Sequence, residues 1–153
     1  MSCVFCAIVD GQLPAQVIHE DEHFVVLLDI FPLRPSHVLI VARGHAPFLA
    51  DLPAAPREAL LALADRVGRA LYRSDPAVLG INLLINDGPA ANQHVPHLHL
   101  HLIPRRVGDL PALCWRTLTR FLPFGRKRIE ARLAGEAERL RACLLYTSPS
   151  PRD

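Results

Sequence analysis

Runs of apolar and β-branched residues, interrupted by polar turns, divide most of the chain into predicted strands. Residues 16–20 and 23–30 favour strands and flank the acidic triplet at 20–22, which predicts a hairpin. Residues 24–28 are all apolar, as in a buried strand. Further strands are predicted at 37–42, 80–86 and 97–103, with Pro104 ending the last one.

Apolar residues at helical spacing mark two other segments. Residues 53–73 are predicted to form the main helix, whose apolar face consists of Leu60, Leu63, Ala64, Val67 and Leu71. Residues 126–142 are predicted to form a charged helix with apolar residues on one side. Residues 90–96 are expected to be a loop, and 110–124, with Trp115, Pro111 and Pro123, to be irregular.

The end of the chain has a different character. Residues 144–153 do not continue the preceding helical pattern and resemble translated adapter sequence, with a native disordered tail as the competing interpretation. We therefore expect one main domain at 1–106, a basic and partly helical extension at 107–142, and a non-native or disordered tail at 143–153.

Composition places the protein among globular, non-membrane proteins. Its 153 residues are 50% hydrophobic and 21% charged, which argues against general disorder and fits one domain. No apolar run approaches the ~20 residues that span a bilayer. The first residues lack the charged start and apolar core of a secretion signal, so we expect a cytoplasmic protein.

Charge is unevenly distributed although the net charge is only +2. Residues 1–104 carry 6 basic and 10 acidic side chains, whereas 105–141 carry 10 basic and 4 acidic ones. Such a stretch can attract polyanions. A solvated helix with an arginine-rich outer face is the favoured interpretation, and no nucleic-acid partner is expected.

The four cysteines are too few and too unevenly spaced for a disulfide framework. Cys3 and Cys6 form a Cys-x-x-Cys motif, but no strand precedes it as in thioredoxin-like redox motifs. Half of a metal site is the favoured interpretation. A closed zinc site would need two more ligands from elsewhere.

The most informative segment is the row of histidines at 97, 99 and 101. On a strand these three side chains share one face, at steps of about 6.6 Å, while the leucines at 98, 100 and 102 share the other. The leucine face belongs in a core. Imidazoles in a row suit metals, anions, nucleophilic attack or proton transfer near neutral pH. A chance row on the surface is the alternative.

This pattern resembles the His-φ-His-φ-His-φ-φ signature (φ is apolar) of the histidine triad, or HIT, family. Similar motifs occur in the family's order, and the resemblance covers about residues 3–106, with matching segments at 3–9, 20–23, 28–30, 35–40 and 86–88. The resemblance implies an α+β fold, an antiparallel sheet with one main helix, plus the helical C-terminal extension. It also implies a homodimer that hydrolyses or transfers nucleotides through a covalent nucleotidyl-histidine at the α-phosphate.

The same resemblance assigns roles to individual residues. His99 would be the nucleophile, His101 would contact phosphate or the bridging oxygen, and His37 would be a supporting fourth histidine. Asp29 would bind ribose hydroxyls, and a polar phosphate site would be formed by Asn86, Gln93 and His94. His94 replaces the serine or threonine of many members. Read alone, Asp29 could be a strand-end cap and His37 a surface histidine.

Some bacterial-type members complete the Cys-x-x-Cys with two histidines around zinc. The matching residues here are His45 and His97, which with Cys3 and Cys6 would make a closed, structural Zn²⁺ site. Cys114 and Cys143 would then be free thiols.

Two other functions remain open at this point. A nucleotide-binding or partner-binding module with little turnover is favoured by His94 and by the arginine-rich extension. A metalloenzyme that uses the histidine row as an open catalytic site is the third possibility.

Overall fold

The protein, described by a computed structural model at residues 3–123 and 125–146, is built around one antiparallel sheet. The sheet has the strand order β1-β2-β3-β5-β4. Its strands are β1 (Val17–Glu20), β2 (Phe24–Leu28), β3 (Val38–Ala42), β4 (Gly80–Ile85) and β5 (His99–Arg105). The predicted α+β class and the predicted strands are therefore confirmed, apart from small shifts of their ends.

The predicted hairpin joins β1 and β2 through a turn at Asp21. Its carboxylate Oδ1 accepts the backbone N–H groups of His23 and Phe24, both at 2.8 Å. All residues of β2 and β3 are buried because both faces of the sheet are covered there. This explains why residues 24–28 read as a continuous apolar run.

Two long helices cover one face of the sheet. The helix α2 (Ala54–Ser74) coincides with the predicted main helix and buries the predicted apolar face. Near the C-terminus, α4 (Arg126–Leu145) adds Leu133, Ala137, Leu140 and Leu144 to the same core. Burying one such leucine contributes about 1.5–3 kcal/mol. The extension is therefore packed on the sheet by its last helix.

That last helix runs past its predicted end at 142. Leu144 lies inside α4 and is only 5% exposed, so the helical pattern continues further than its sequence indicated. Residues 147–153 lie outside the described residues, and their assignment as non-native stays a prediction.

A short helix, α1 (Val4–Val9), lies against the opposite face of the sheet. Phe5 anchors it in a second apolar cluster with Val25, Leu27, Leu39 and Val41. This arrangement brings the N-terminal Cys-x-x-Cys to the side of the sheet that carries the histidine row.

The expectation of an irregular segment at 110–124 is wrong for its first part, which forms α3 (Leu110–Thr119). Pro111 lies in the first turn, where the missing N–H would have no helical partner, so it does not break the helix. Within the described residues, none of these helices has both the length and the apolar character needed to cross a membrane.

Candidate active site and metal centre

The last strand in the chain, β5, presents its histidines and leucines to opposite faces as predicted. His101 is paired with Leu39 and His99 with Val41 across the sheet, on the face that α1 covers. The leucines at 98, 100 and 102 belong to the main core. The histidines at 97, 99 and 101 are 0%, 8% and 6% exposed. The interpretation as a chance surface row is therefore wrong.

His97 lies just before β5, and its ring orientation is fixed by the backbone. Its Nε2–H donates to the Ala42 carbonyl at 2.7 Å, which leaves a lone pair on Nδ1. That atom lies 3.3 Å from Cys3 Sγ, 3.5 Å from Cys6 Sγ and 3.3 Å from His45 Nδ1. His97 therefore points its free lone pair at the three residues predicted to share a metal with it.

The distances between these donors match the edges of a tetrahedron. Zn–S bonds of about 2.3 Å and Zn–N bonds of about 2.0 Å place sulfur and nitrogen ligands about 3.5 Å apart, and two nitrogens about 3.3 Å apart. All four donor atoms lie within 4.8 Å of one another, and the fourth measured contact, from Cys6 Sγ to His45 Nδ1, is 3.4 Å. The cluster can therefore hold a metal ion.

A different hydrogen bond sets the ring of His99. Its Nδ1–H donates to the carbonyl of His97 at 2.7 Å, so the lone pair is on Nε2. Burial is the main cause that lowers the pKa of His99, which favours the neutral ring. The Phe5 ring packs 4.9 Å away. His99 thus carries an unprotonated nitrogen that is chemically suited to nucleophilic attack.

His37 and His101 form a directed hydrogen-bond chain. The backbone N–H of Leu33 donates to His37 Nδ1 at 3.1 Å, so His37 carries its proton on Nε2 and donates it to His101 Nδ1 at 3.0 Å. His101 must then carry its own proton on Nε2. That buried atom has no hydrogen-bond partner among the described residues. The hydrogen-bond chain therefore ends at His101 Nε2–H, a donor that is available to a ligand.

Both rings of this chain are held neutral. Burial lowers the pKa of His37 to about 4 and that of His101 to about 2. His37 is only 1% exposed, so its interpretation as a surface histidine is wrong.

Asp29 follows β2 and is 5% exposed. Its Oδ1 accepts the N–H of Phe31 at 2.8 Å, which is the strand-end cap considered from the sequence. Its Oδ2 lies 3.5 Å from His37 Nδ1 and accepts a hydrogen bond from Arg120 at 2.9 Å. Asp29 therefore combines the local cap with membership of the buried site.

Asp29, His37 and His101 could also be considered as metal ligands because their donor atoms lie within 4.8 Å of one another. Here, however, a hydrogen bond of 3.0 Å joins a nitrogen of each ring, and the carboxylate is paired with the guanidinium of Arg120. These contacts satisfy the donor atoms without an ion, in contrast to the converging donors around His97.

Comparison with known proteins places this geometry in a family. The HIT domain matches residues 10–108, which include Asp29 and the whole histidine row. The chain belongs to the HIT family.

Similar proteins share both sequence and fold with this chain. An uncharacterised HIT-like protein of Mycobacterium tuberculosis is 40% identical over 109 residues, 71% of this chain and 75% of that protein. Adenylylsulfatase HINT3 of Arabidopsis thaliana is 35% identical over 107 residues, 70% of this chain and 54% of that protein. The crystal structure of a zinc-bound histidine triad family protein from Mycobacterium smegmatis is 39% identical, with a TM-score of 0.75, and the match covers 95% of this chain and 94% of that one.

The residues that the HIT resemblance placed at the phosphate lie in a loop before β5. Gln93 accepts the N–H of Gly88 at 3.0 Å and donates to the Pro47 carbonyl at 2.6 Å, so both ends of its amide hold loops together. The Asn86 amide lies 3.5 Å from the Asn92 carbonyl. The structure shows these two side chains in contact with backbone, and their predicted contact with phosphate stays a prediction.

His94 is exposed, and its ring lies 5.4 Å from that of Phe121. Phe121 and Arg120 follow α3 and lie outside the part matched by the HIT domain. Sequence reasoning missed both residues. The positive charge of 105–141 was the available signal, but its interpretation as a solvated face is wrong for Arg120, which is paired with Asp29.

Proposed function

We propose that this HIT protein hydrolyses or transfers nucleotides by attack at the α-phosphate through a covalent nucleotidyl-histidine. The observation that carries the proposal is the fixed tautomer of His99, whose Nδ1–H is bound to the His97 carbonyl at 2.7 Å. A neutral imidazole with a free Nε2 lone pair in a buried site is a competent nucleophile. The relationship to an adenylylsulfatase supports a nucleotide conjugate as the substrate.

The proposed reaction has two displacements at phosphorus. His99 Nε2 forms a bond to the α-phosphorus, the bond from phosphorus to the leaving group breaks, and His101 Nε2–H donates a hydrogen bond to the departing atom, which takes its proton from solvent. Water then attacks phosphorus, the phosphorus–nitrogen bond breaks, and the proton lost by that water returns to solvent. His37 orients His101 through the 3.0 Å hydrogen bond, and Asp29 takes the predicted role of binding the ribose hydroxyls.

The proposed substrates are phosphoramidates or dinucleoside polyphosphates. These compounds share one reacting centre and differ in the leaving group, so a panel of them tests the proposal. We expect wild-type protein to release a nucleoside monophosphate from at least one, and to retain a labelled nucleotide on a histidine after a quench that avoids acid. The quench matters because phosphorus–nitrogen bonds are labile in acid.

Stereochemistry gives an independent test of the two displacements. Each displacement inverts phosphorus, so a substrate chiral at the α-phosphorus and hydrolysed in isotopically labelled water should give net retention. Inversion without a labelled adduct would contradict the covalent route and favour direct attack by water.

The metal cluster is proposed to be a structural zinc site. Cys3, Cys6, His45 and His97 would hold the ion, and their measured spacing supports tetrahedral coordination. Four protein ligands close the coordination shell, so the ion would fix α1 to the segment before β5. It would thereby position the carbonyl of His97, which orients His99.

A binding module with little turnover is the second candidate. It is favoured by His94, which is exposed and replaces the serine or threonine of many HIT members. A protein of this kind would bind nucleoside monophosphates without giving either product or adduct in the substrate panel.

We also propose that the protein is a homodimer. The strand β4 lies at an edge of the sheet and exposes Leu83 and Leu84 at 51% and 44%. Apolar edge strands are commonly covered by a partner. Measurement of the mass in solution tests this proposal, and a monomer at micromolar concentration would contradict it.

A further inference from the structure

The segment that follows α3 contacts two loops that carry proposed nucleotide-binding residues. The Phe121 ring lies 5.3 Å from the Phe31 ring and 5.4 Å from the His94 ring. Four residues before Arg120, Arg116 donates two hydrogen bonds of 3.2 Å to the Pro32 carbonyl. These contacts hold the segment against the loop after β2 and against the loop before β5.

Within this segment, Arg120 reaches into the site itself. Its NH2 group donates to Asp29 Oδ2 at 2.9 Å, and its Nε–H is buried without a hydrogen-bond partner among the described residues. The guanidinium is close enough that its charge lowers the pKa of His37 and His101, although burial is the larger cause at each ring. Arg120 therefore adds a charge and an unused donor to the site.

The charge balance of the site gives this arginine a function. Burial keeps His37 and His101 neutral, the hydrogen bonds fix where their protons lie, and a nucleophilic His99 must also be neutral. Among these buried side chains the remaining charged group is the carboxylate of Asp29, so without Arg120 the site would hold a phosphate next to another negative charge. A phosphate in a buried site needs an opposite charge or hydrogen-bond donors to offset its loss of solvation.

We propose that Arg120 is a substrate-binding residue that contacts the phosphate of the bound nucleotide and supplies its counter-charge. The inference rests on the proposed function and extends it to a residue outside the part matched by the HIT domain. Arg120 keeps its contact with Asp29 or shares it with the ribose, and its second face donates to the phosphate. An arginine suits this role because its several N–H groups can bind two oxygen acceptors at once.

The test compares binding of AMP and adenosine to wild-type protein and to Arg120→Gln. These ligands share the nucleoside and differ in the phosphate. We expect Arg120→Gln to weaken AMP binding by about 10- to 100-fold and adenosine binding by less than about 3-fold. Turnover, as kcat/KM, should fall by a factor similar to that for AMP.

Two further variants separate charge from folding. Arg128→Gln removes an exposed arginine of the same extension and should leave AMP binding unchanged. Arg120→Lys keeps the charge and should restore part of the lost affinity. Melting temperature and metal content are measured for each variant, so that a general loss of structure is distinguished from loss of the phosphate contact.

A second comparison asks whether Arg120 acts only through Asp29. The loss of AMP affinity caused by Arg120→Gln should persist in an Asp29→Asn background. If the loss disappears there, or if Arg120→Gln behaves like Arg128→Gln, direct contact with phosphate is refuted. Tighter binding of both ligands by Arg120→Gln would instead show that the arginine obstructs the Asp29 carboxylate that is proposed to bind the ribose, and would refute the proposal.

The outcome for wild-type protein distinguishes this inference from the function on which it rests. If wild-type protein binds neither ligand and turns over no member of the substrate panel, both the proposed function and this inference fail. If wild-type protein is active and the variants show no selective loss for AMP, only the role of Arg120 fails.

Discussion

The cluster around His97 and the cluster around His101 are both built from imidazole rings, but the ring protons lie on different sides in the two clusters. The proton of His97 points away to the Ala42 carbonyl, so its lone pair faces His45 and two sulfur atoms. The proton of His37 instead lies between two ring nitrogens, His37 Nε2 and His101 Nδ1, that are 3.0 Å apart. One backbone hydrogen bond on the far nitrogen thus decides whether neighbouring imidazoles favour a metal ion or a shared proton.

The largest effect is expected from changing His99, whose ring belongs to neither cluster. Replacing His99 by Asn should reduce turnover by about 1,000-fold or more, since no other histidine in the row offers a fixed, unprotonated Nε2. Nucleotide binding should remain measurable because the covalent step alone is lost. Assays of turnover and of AMP binding check this, and near-wild-type turnover would refute the nucleophile.

Loss of the metal cluster should affect the stability of the fold more than the rate of turnover. Wild-type protein is expected to hold about one zinc per chain, and Cys3→Ser with Cys6→Ser should lose it and reduce the free energy of unfolding by about 3–4 kcal/mol. Metal analysis and denaturation measure both. Cys114→Ser is the matched control, because Cys114 is exposed and outside the cluster. Metal-free wild-type protein of equal stability would refute the site.

The proton-sharing cluster should make the fold sensitive to acid. The pKa of His37 falls from 6.5 to about 4 on folding, so the unfolded chain binds the extra proton between these pH values. The contribution of His37 to stability is therefore complete above pH 6.5 and decreases by about 1.4 kcal/mol per pH unit as pH falls towards 4.

Replacing His37 by Asn should remove this contribution to the slope. The experiment is best done in the Cys3→Ser, Cys6→Ser background, where release of metal at low pH cannot contribute. His23→Asn is the control, since that ring is partly exposed. An unchanged pH slope after His37→Asn would contradict the neutral, buried state of this ring.

The smallest effect is expected at Phe5, which lies between the metal cluster and His99. The Phe5 ring packs 5.7 Å from the His97 ring and 4.9 Å from the His99 ring. Phe5→Leu should cost about 1 kcal/mol of stability and reduce turnover a few-fold, because both rings lose an aromatic neighbour. Val4→Ala, at a more exposed position on the same helix, should change both quantities less. Equal effects of the two variants would show that Phe5 does not couple the metal cluster to His99.

Local pattern was sufficient for the sheet, for α2 and for the two faces of β5, because each depends on periodicity within one segment. The metal ligands were identified by resemblance to a family. Pro111 was misread because a proline in the first turn of a helix resembles one in a loop. The burial of His37 cannot be predicted from the sequence around it, since it depends on neighbours that are distant in the chain.

Arg120 shows a different limit of sequence reasoning. It lies 91 positions from Asp29 in the chain, and the basic stretch at 105–141 contains ten basic residues. Nothing in its immediate neighbourhood distinguishes Arg120 from the others. Only the packing of the segment after α3 against the loop that follows β2 brings the pair together.

Strand register has a consequence that amphipathic patterning conceals. A slip of β5 by two residues would keep histidines on one face and leucines on the other, so the apolar core would tolerate it. Yet the slip would move each ring into its neighbour's surroundings and exchange the roles of ligand, nucleophile and donor. The backbone bonds that Leu98 makes with Ala42 and Ala46 oppose such an error. Transfer of this site to another scaffold therefore requires copying the register-fixing bonds together with the histidines.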